Sequence, residues 1–172
     1  NNGDETVLAT AQSIGAIGGI LGGLLLTTWG GPKRRVNGVV LGMVGTSLLG
    51  EVLMGVGRSV IAWGAALFFL HFFMPILNGS NQAIWQAKVQ PDVQGRVFAA
   101  RRMIAQISAP VAMILAGPLA DQVFEPAMRE GGALAPVFGW LVGTGAGAGM
   151  GLIFVIFGIA GVLVALSGYL FQ

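Results

Sequence analysis

Apolar side chains run almost unbroken through five stretches of this chain, at residues 7–29, 36–56, 59–85, 99–124 and 151–171. Each approaches or exceeds the ~20 apolar residues that a helix needs to cross a bilayer. Polar residues collect between them, in "GPKRR", "GVGRS", "KVQPDVQGRVFAARR" and the segment 125–150. The pattern predicts an all-α membrane protein of five transmembrane helices, with 125–150 as a long outer loop.

Composition strengthens that reading. The chain is 55% hydrophobic and only 9% charged, whereas a soluble domain carries about 25% charged residues. Mean hydropathy is +0.80. The 29 glycines would weaken helices in water, but in a bilayer they let helix backbones approach closely. There is no cysteine, which excludes disulfides and thiolate chemistry. The start, "NNGDET", has neither an initiator Met nor a signal-peptide layout, and reads as a chain cut from something longer.

The charges set an orientation. Lys33, Arg34 and Arg35 lie between the first two spans, and Lys88, Arg96, Arg101 and Arg102 in the segment that joins the third to the start of the fourth, seven of the nine cations. The opposite side holds Arg58 and Arg129 with Asp4, Glu5, Glu125 and Glu130. Lys and Arg stay on the cytoplasmic side during insertion. The N-terminus is therefore expected outside and Gln172 inside. Cations this few and this localised exclude nucleic acid as a partner; the expected medium is the lipid bilayer.

Small residues recur on single faces. Ala11, Gly15, Gly18, Gly19 and Gly22 share a face of the first span, and Gly151, Gly158, Gly161, Ala165 and Gly168 share one of the fifth. Such seams serve tight packing or a contact that slides. On the third span, His71, Pro75, Asn78, Gln82 and Trp85 form one stripe. Polar groups facing lipid are costly, so this stripe is expected to face protein, through interhelical hydrogen bonds, or a water-filled cavity. Pro75 removes a backbone hydrogen bond near His71, and a kink is expected there. The fourth span carries Arg102, Gln106, Pro110, Met113 and Gly117, with Asp121 near its outer end. Met113 suits a surface that binds varied apolar molecules, or fills a gap. On the second span Asn37, Ser47 and Glu51 share a side. An ionisable group such as Glu51 within a span is functional or paired; it suits a proton carrier, or it pairs with Arg58. The substrate-cavity candidates are His71, Asn78, Gln82, Gln106 and Met113. The proton-coupling candidates are Glu51 and Asp121.

Several motifs fail on context. "GTGAGAGMG", 143–151, has dinucleotide-loop spacing but leads into a membrane span rather than joining a strand to a soluble helix; it is read as a flexible lead-in. "GGPKRR" lacks the ending of a phosphate-binding loop. One histidine without a carboxylate cluster points to no metal site. No nucleophile, base and acid can be assembled, so neither an enzyme nor a cofactor is indicated.

The stretch "GGLLLTTWGGPKRRV", 22–36, resembles the cytoplasmic loop motif of the major facilitator superfamily. Gly23, Leu25 and Gly30 match its leading positions, and Lys33, Arg34 and Arg35 its basic tail. Thr27 and Thr28 stand where that family has its Asp and Arg, as in the degenerate copy of its second half. "QPDVQGRVFAARRMIAQISAPVAMILAGPLAD", with its Pro91–Arg96 turn, and "GAGAGMGLIFVIFGIAG" resemble the macrolide-efflux-like branch. The resemblance implies helices eight to twelve, most of the C-terminal six-helix bundle of a twelve-helix transporter. The seventh helix and N-terminal half are then missing partners. It further implies alternating access, a small amphipathic substrate, and a latch at the cytoplasmic start of the fourth span, where Arg96 would reinforce the helix N-terminus. Proton-coupled efflux is the expected activity. Transport of another small molecule (a peptide, siderophore or metabolite) in either direction, or a non-transporting scaffold, remains open.

Overall fold

The computed structural model describes residues 2–170, with side chains from Glu5 onward. The described residues form helices and turns, with no strand. Six helices follow one another: α1, Asn2–Trp29; α2, Arg35–Val56; α3, Val60–Lys88; α4, Pro91–Met128; α5, Ala135–Val142; and α6, Ala148–Leu170. All except α5 contain segments long and apolar enough to cross a membrane, as the hydropathy pattern predicts. The expected ends at Asp4, Phe171 and Gln172 lie outside the described side chains.

The helix bounds follow local chemistry more closely than hydropathy does. The turn after α1 uses Gly30 and Gly31 at φ +74° and +79°, a left-handed conformation that glycine adopts without a Cβ penalty. Ser59 Oγ accepts the Ala62 N–H at 3.2 Å, capping the start of α3. That helix continues unbroken through Pro75. In α4, Pro91 occupies the first turn, where its missing N–H costs nothing, and the helix starts there rather than near 99. Residues 125–150 are not simply a loop: α5 lies inside them, with Pro136 in its first turn and Gly143 just past its end.

The chain divides into two compact units, one running to Asn81 and resuming at Gly151, the other spanning Gln82–Met150. Glycine backbones hold the first unit together. A Cβ on Gly18 would strike the Phe68 carbonyl, and one on Gly22 the Phe72 carbonyl. Gly18 and Gly22 are one turn apart, so α1 lies directly on α3. Both numberings rise together along this contact, so the two helices are parallel. On the other side of α3, Gly38, Gly42, Gly45 and Gly50 of α2 meet Ser80, Leu77, Phe73 and Leu70, an antiparallel pairing. In turn α2 meets α6: Gly55 lies on the Gly151 carbonyl, while Gly158 and Gly161 lie on Ser47. Lipid tails are as apolar as these side chains, so close van der Waals contact and weak Cα–H···O bonds hold such seams. The expected seam of the fifth span stops short of Gly168, which faces open space.

The second unit is built differently. From Arg102 to Leu119 every α4 residue is exposed. The helix is held instead near its two ends, by Gln94 and Glu125.

Candidate functional site

Within α2 the backbone widens to π-helical geometry over Gly45–Val52, and within α4 over Leu119–Phe124. Glu51 falls in the first wide stretch and Asp121 in the second. Single π-turns inside α-helices are frequent at functional sites. Glu51 is half-buried and Asp121 exposed. Where the first stretch passes α6, a Cβ on Gly158 would lie 2.7 Å from the Ser47 carbonyl oxygen and 3.1 Å from the Val52 nitrogen. The glycine therefore seats the widened turn against the neighbouring helix.

The polar stripe of α3 remains on its surface. His71, Asn78, Gln82 and Trp85 are exposed and Pro75 is half-buried. His71 Nδ1 lies 2.8 Å from the Leu67 carbonyl oxygen. A carbonyl only accepts, so Nδ1 carries the proton and donates it. The imidazole leans on α1 at Gly15, where a Cβ would stand 3.1 Å from Nδ1. His71 and Asn78 belong to the first unit, and Gln82, Gln106 and Met113 to the second. Gln106 and Met113 are both exposed, Met113 to 78%.

The loop motif resolves into individual roles. Gly23 borders open space, whereas Gly30 makes the left-handed turn. Arg35 Nη1 donates to the Gly30 carbonyl at 2.7 Å, satisfying a group left free at the end of α1. Lys33 and Arg34 are exposed. Thr27 and Thr28 both donate their hydroxyls to the Leu24 carbonyl at 2.9 Å, so these two positions are spent inside their own helix. Because α4 begins at Pro91, Arg96 sits in its second turn rather than at its start. The pull of a helix N-terminus fades within the first turn, which weakens the electrostatic case for Arg96 there.

Two anchors went unread in the sequence. The Glu125 carboxylate accepts the N–H of Gly147 at 2.8 Å and of Gly149 at 3.0 Å, holding the segment that opens α6. "GTGAGAG" is thus a tethered turn, with Gly147 at φ +87°, rather than a flexible lead-in. Gln94 Nε2 donates to the carbonyls of Gln86 and Val89, both at 3.0 Å, closing the end of α3. Separations of 22 and 24 residues leave no periodic trace. Gln94, however, lies close enough to α3 to be considered as a cap.

Five long apolar helices, four of them joined by glycine-mediated seams, describe a helical membrane protein. Over 125 residues the chain is 28% identical to Macrolide efflux protein A of Streptococcus pyogenes, and equally so to the protein of that name from Streptococcus pyogenes serotype M6. The match covers 71% of this chain and 30% of each relative, so this chain corresponds to only part of their length. No family model matches, and no solved structure does.

Proposed function

We propose that this chain forms part of a secondary active exporter of amphipathic small molecules, of the major facilitator type, working by proton-coupled alternating access. Its similarity to Macrolide efflux protein A carries the reading. Macrolide-like compounds are therefore the substrates to try first. The membrane is the bacterial inner membrane, with the first described residues outside and the end of α6 at the cytoplasmic face. His71, Asn78, Gln82, Gln106 and Met113 contribute to the cavity, their partners being the N-terminal half and seventh helix. Glu51 and Asp121 exchange the coupling proton, and the widened turns let the backbone around them shift as charge changes. Arg96 and the motif residues Gly23, Gly30, Lys33, Arg34 and Arg35 belong to the cytoplasmic gate.

The test is uptake of a labelled macrolide into inverted vesicles carrying the intact polypeptide. Collapsing the proton gradient is expected to abolish accumulation. Glu51→Gln is expected to lower the gradient-driven rate by about tenfold while protein level holds, a loss read as transition-state stabilisation. Accumulation that survives gradient collapse would sink proton coupling. Absence of any macrolide movement in the wild type would sink the substrate class.

A further inference from the structure

The corner between α3 and α4 is cationic and closed by side chains, and the proposed transport cycle does not use Arg101 or Arg102. Trp85 accepts the Val89 N–H at 2.9 Å through its carbonyl. Gln94 grips the last carbonyls of α3. Above the indole, the Arg101 guanidinium carbon stands 4.2 Å from the ring centroid. This stacking fixes an otherwise flexible side chain and leaves its planar N–H edge for an anion. No carboxylate pairs with Arg101 among the described residues. Asp92 is nine positions earlier, roughly two and a half helical turns, which puts it on the opposite face of α4. Arg102 is exposed beside Arg101, and Lys88 is exposed in the last turn of α3. Directly beyond the cations, Met103, Ile104 and Ile107 are 61%, 67% and 64% exposed.

We propose that this corner is a binding site for an anionic phospholipid, its phosphate held by Arg101 and Arg102 beside Trp85 and its acyl chains lying along Met103, Ile104 and Ile107. Charge complementarity selects the headgroup. A guanidinium fork matches phosphate oxygens in pairs, and Trp favours the boundary between headgroups and tails. The apolar strip that continues from the cations selects a lipid over free phosphate, which would gain nothing from it. The other basic turn is not equivalent, because Arg35 already donates to the Gly30 carbonyl and, among the described residues, no ring holds Lys33 or Arg34.

The experiment is native mass spectrometry of the full chain in detergent, offered dioleoylphosphatidylglycerol, dioleoylphosphatidylcholine or glycerol 3-phosphate. Phosphatidylglycerol is expected to be retained about fivefold or more over phosphatidylcholine, as an anionic surface favours each nearby cation. Glycerol 3-phosphate is expected neither to be retained nor to compete. Arg101→Gln with Arg102→Gln should erase the preference, and Lys33→Gln with Arg34→Gln should leave it. Equal retention of the two lipids by the wild type overturns the proposal even if the arginine variant fails to fold. So does equal loss from the two double variants, or a preference that survives in both. Competition by glycerol 3-phosphate would reassign the corner to free phosphate and overturn the lipid assignment.

Discussion

The two units of this chain solve the problem of holding membrane helices by opposite means. In the first, α1, α2, α3 and α6 touch through glycines, backbone against backbone. In the second, α4 stays bare from Arg102 to Leu119, and order comes from side chains that clasp helix ends: Gln94, Arg101 and Glu125. The difference teaches where substitution matters. A methyl group decides the fate of the first unit, whereas a lost polar clasp decides that of the second.

Four substitutions test this contrast. The largest effect is expected from Gly22→Ile, whose Cβ would meet the Phe72 carbonyl. Overpacking of this kind costs about 3 kcal/mol, readable as a shifted unfolding midpoint in mixed micelles. An unchanged midpoint would mean that α1 and α3 do not touch there. Next comes Glu125→Ala, which leaves the Gly147 and Gly149 N–H groups without their carboxylate. Hydrogen bonds to a charged group contribute about 1.5–3 kcal/mol, and partial exposure puts this one at about 1.5 kcal/mol. Amide exchange should accelerate across 143–150 and remain slow along α1. A smaller loss, about 1 kcal/mol, is expected for Gln94→Ala, seen as faster exchange at the α3–α4 turn. Smallest of all is Gly117→Ala. Nothing lies within 4 Å of its Cβ position, so stability should stay within about 0.5 kcal/mol of wild type. A large loss there would show that α4 is covered by a close neighbour.

The five long helices were legible because lipid selects for continuous apolar runs, and such runs need no knowledge of neighbours. The early start of α4 was legible too, through Pro91 followed by Asp92, but a hydropathy reading places the start where the greasy residues begin. The same cause hid α5. Its "APVFGWLV" is too short to span, although Pro near the start and Gly143 after the end mark a helix. Small residues on one face of α1 pointed to its packing surface. They did not reveal that α3 would be the partner or that the pairing would be parallel. The Glu125 tether and the Arg101–Trp85 stack depend on distant residues meeting in space. The widened turns holding Glu51 and Asp121 are backbone adjustments with no residue signature of their own.

A π-turn is an α-helix carrying one residue more than its length requires. The stretch Gly45–Val52 therefore gives α2 a spare link between Gly38 and Gly42 on one side and Gly55 on the other. Excising a single residue such as Leu48, which is 48% exposed, should restore regular winding while both flanking contacts keep their phase. The same excision anywhere else in α2 would rotate one set of glycines off its neighbour. The second span is thus built with slack at the position of its one carboxylate, and nowhere else along its length.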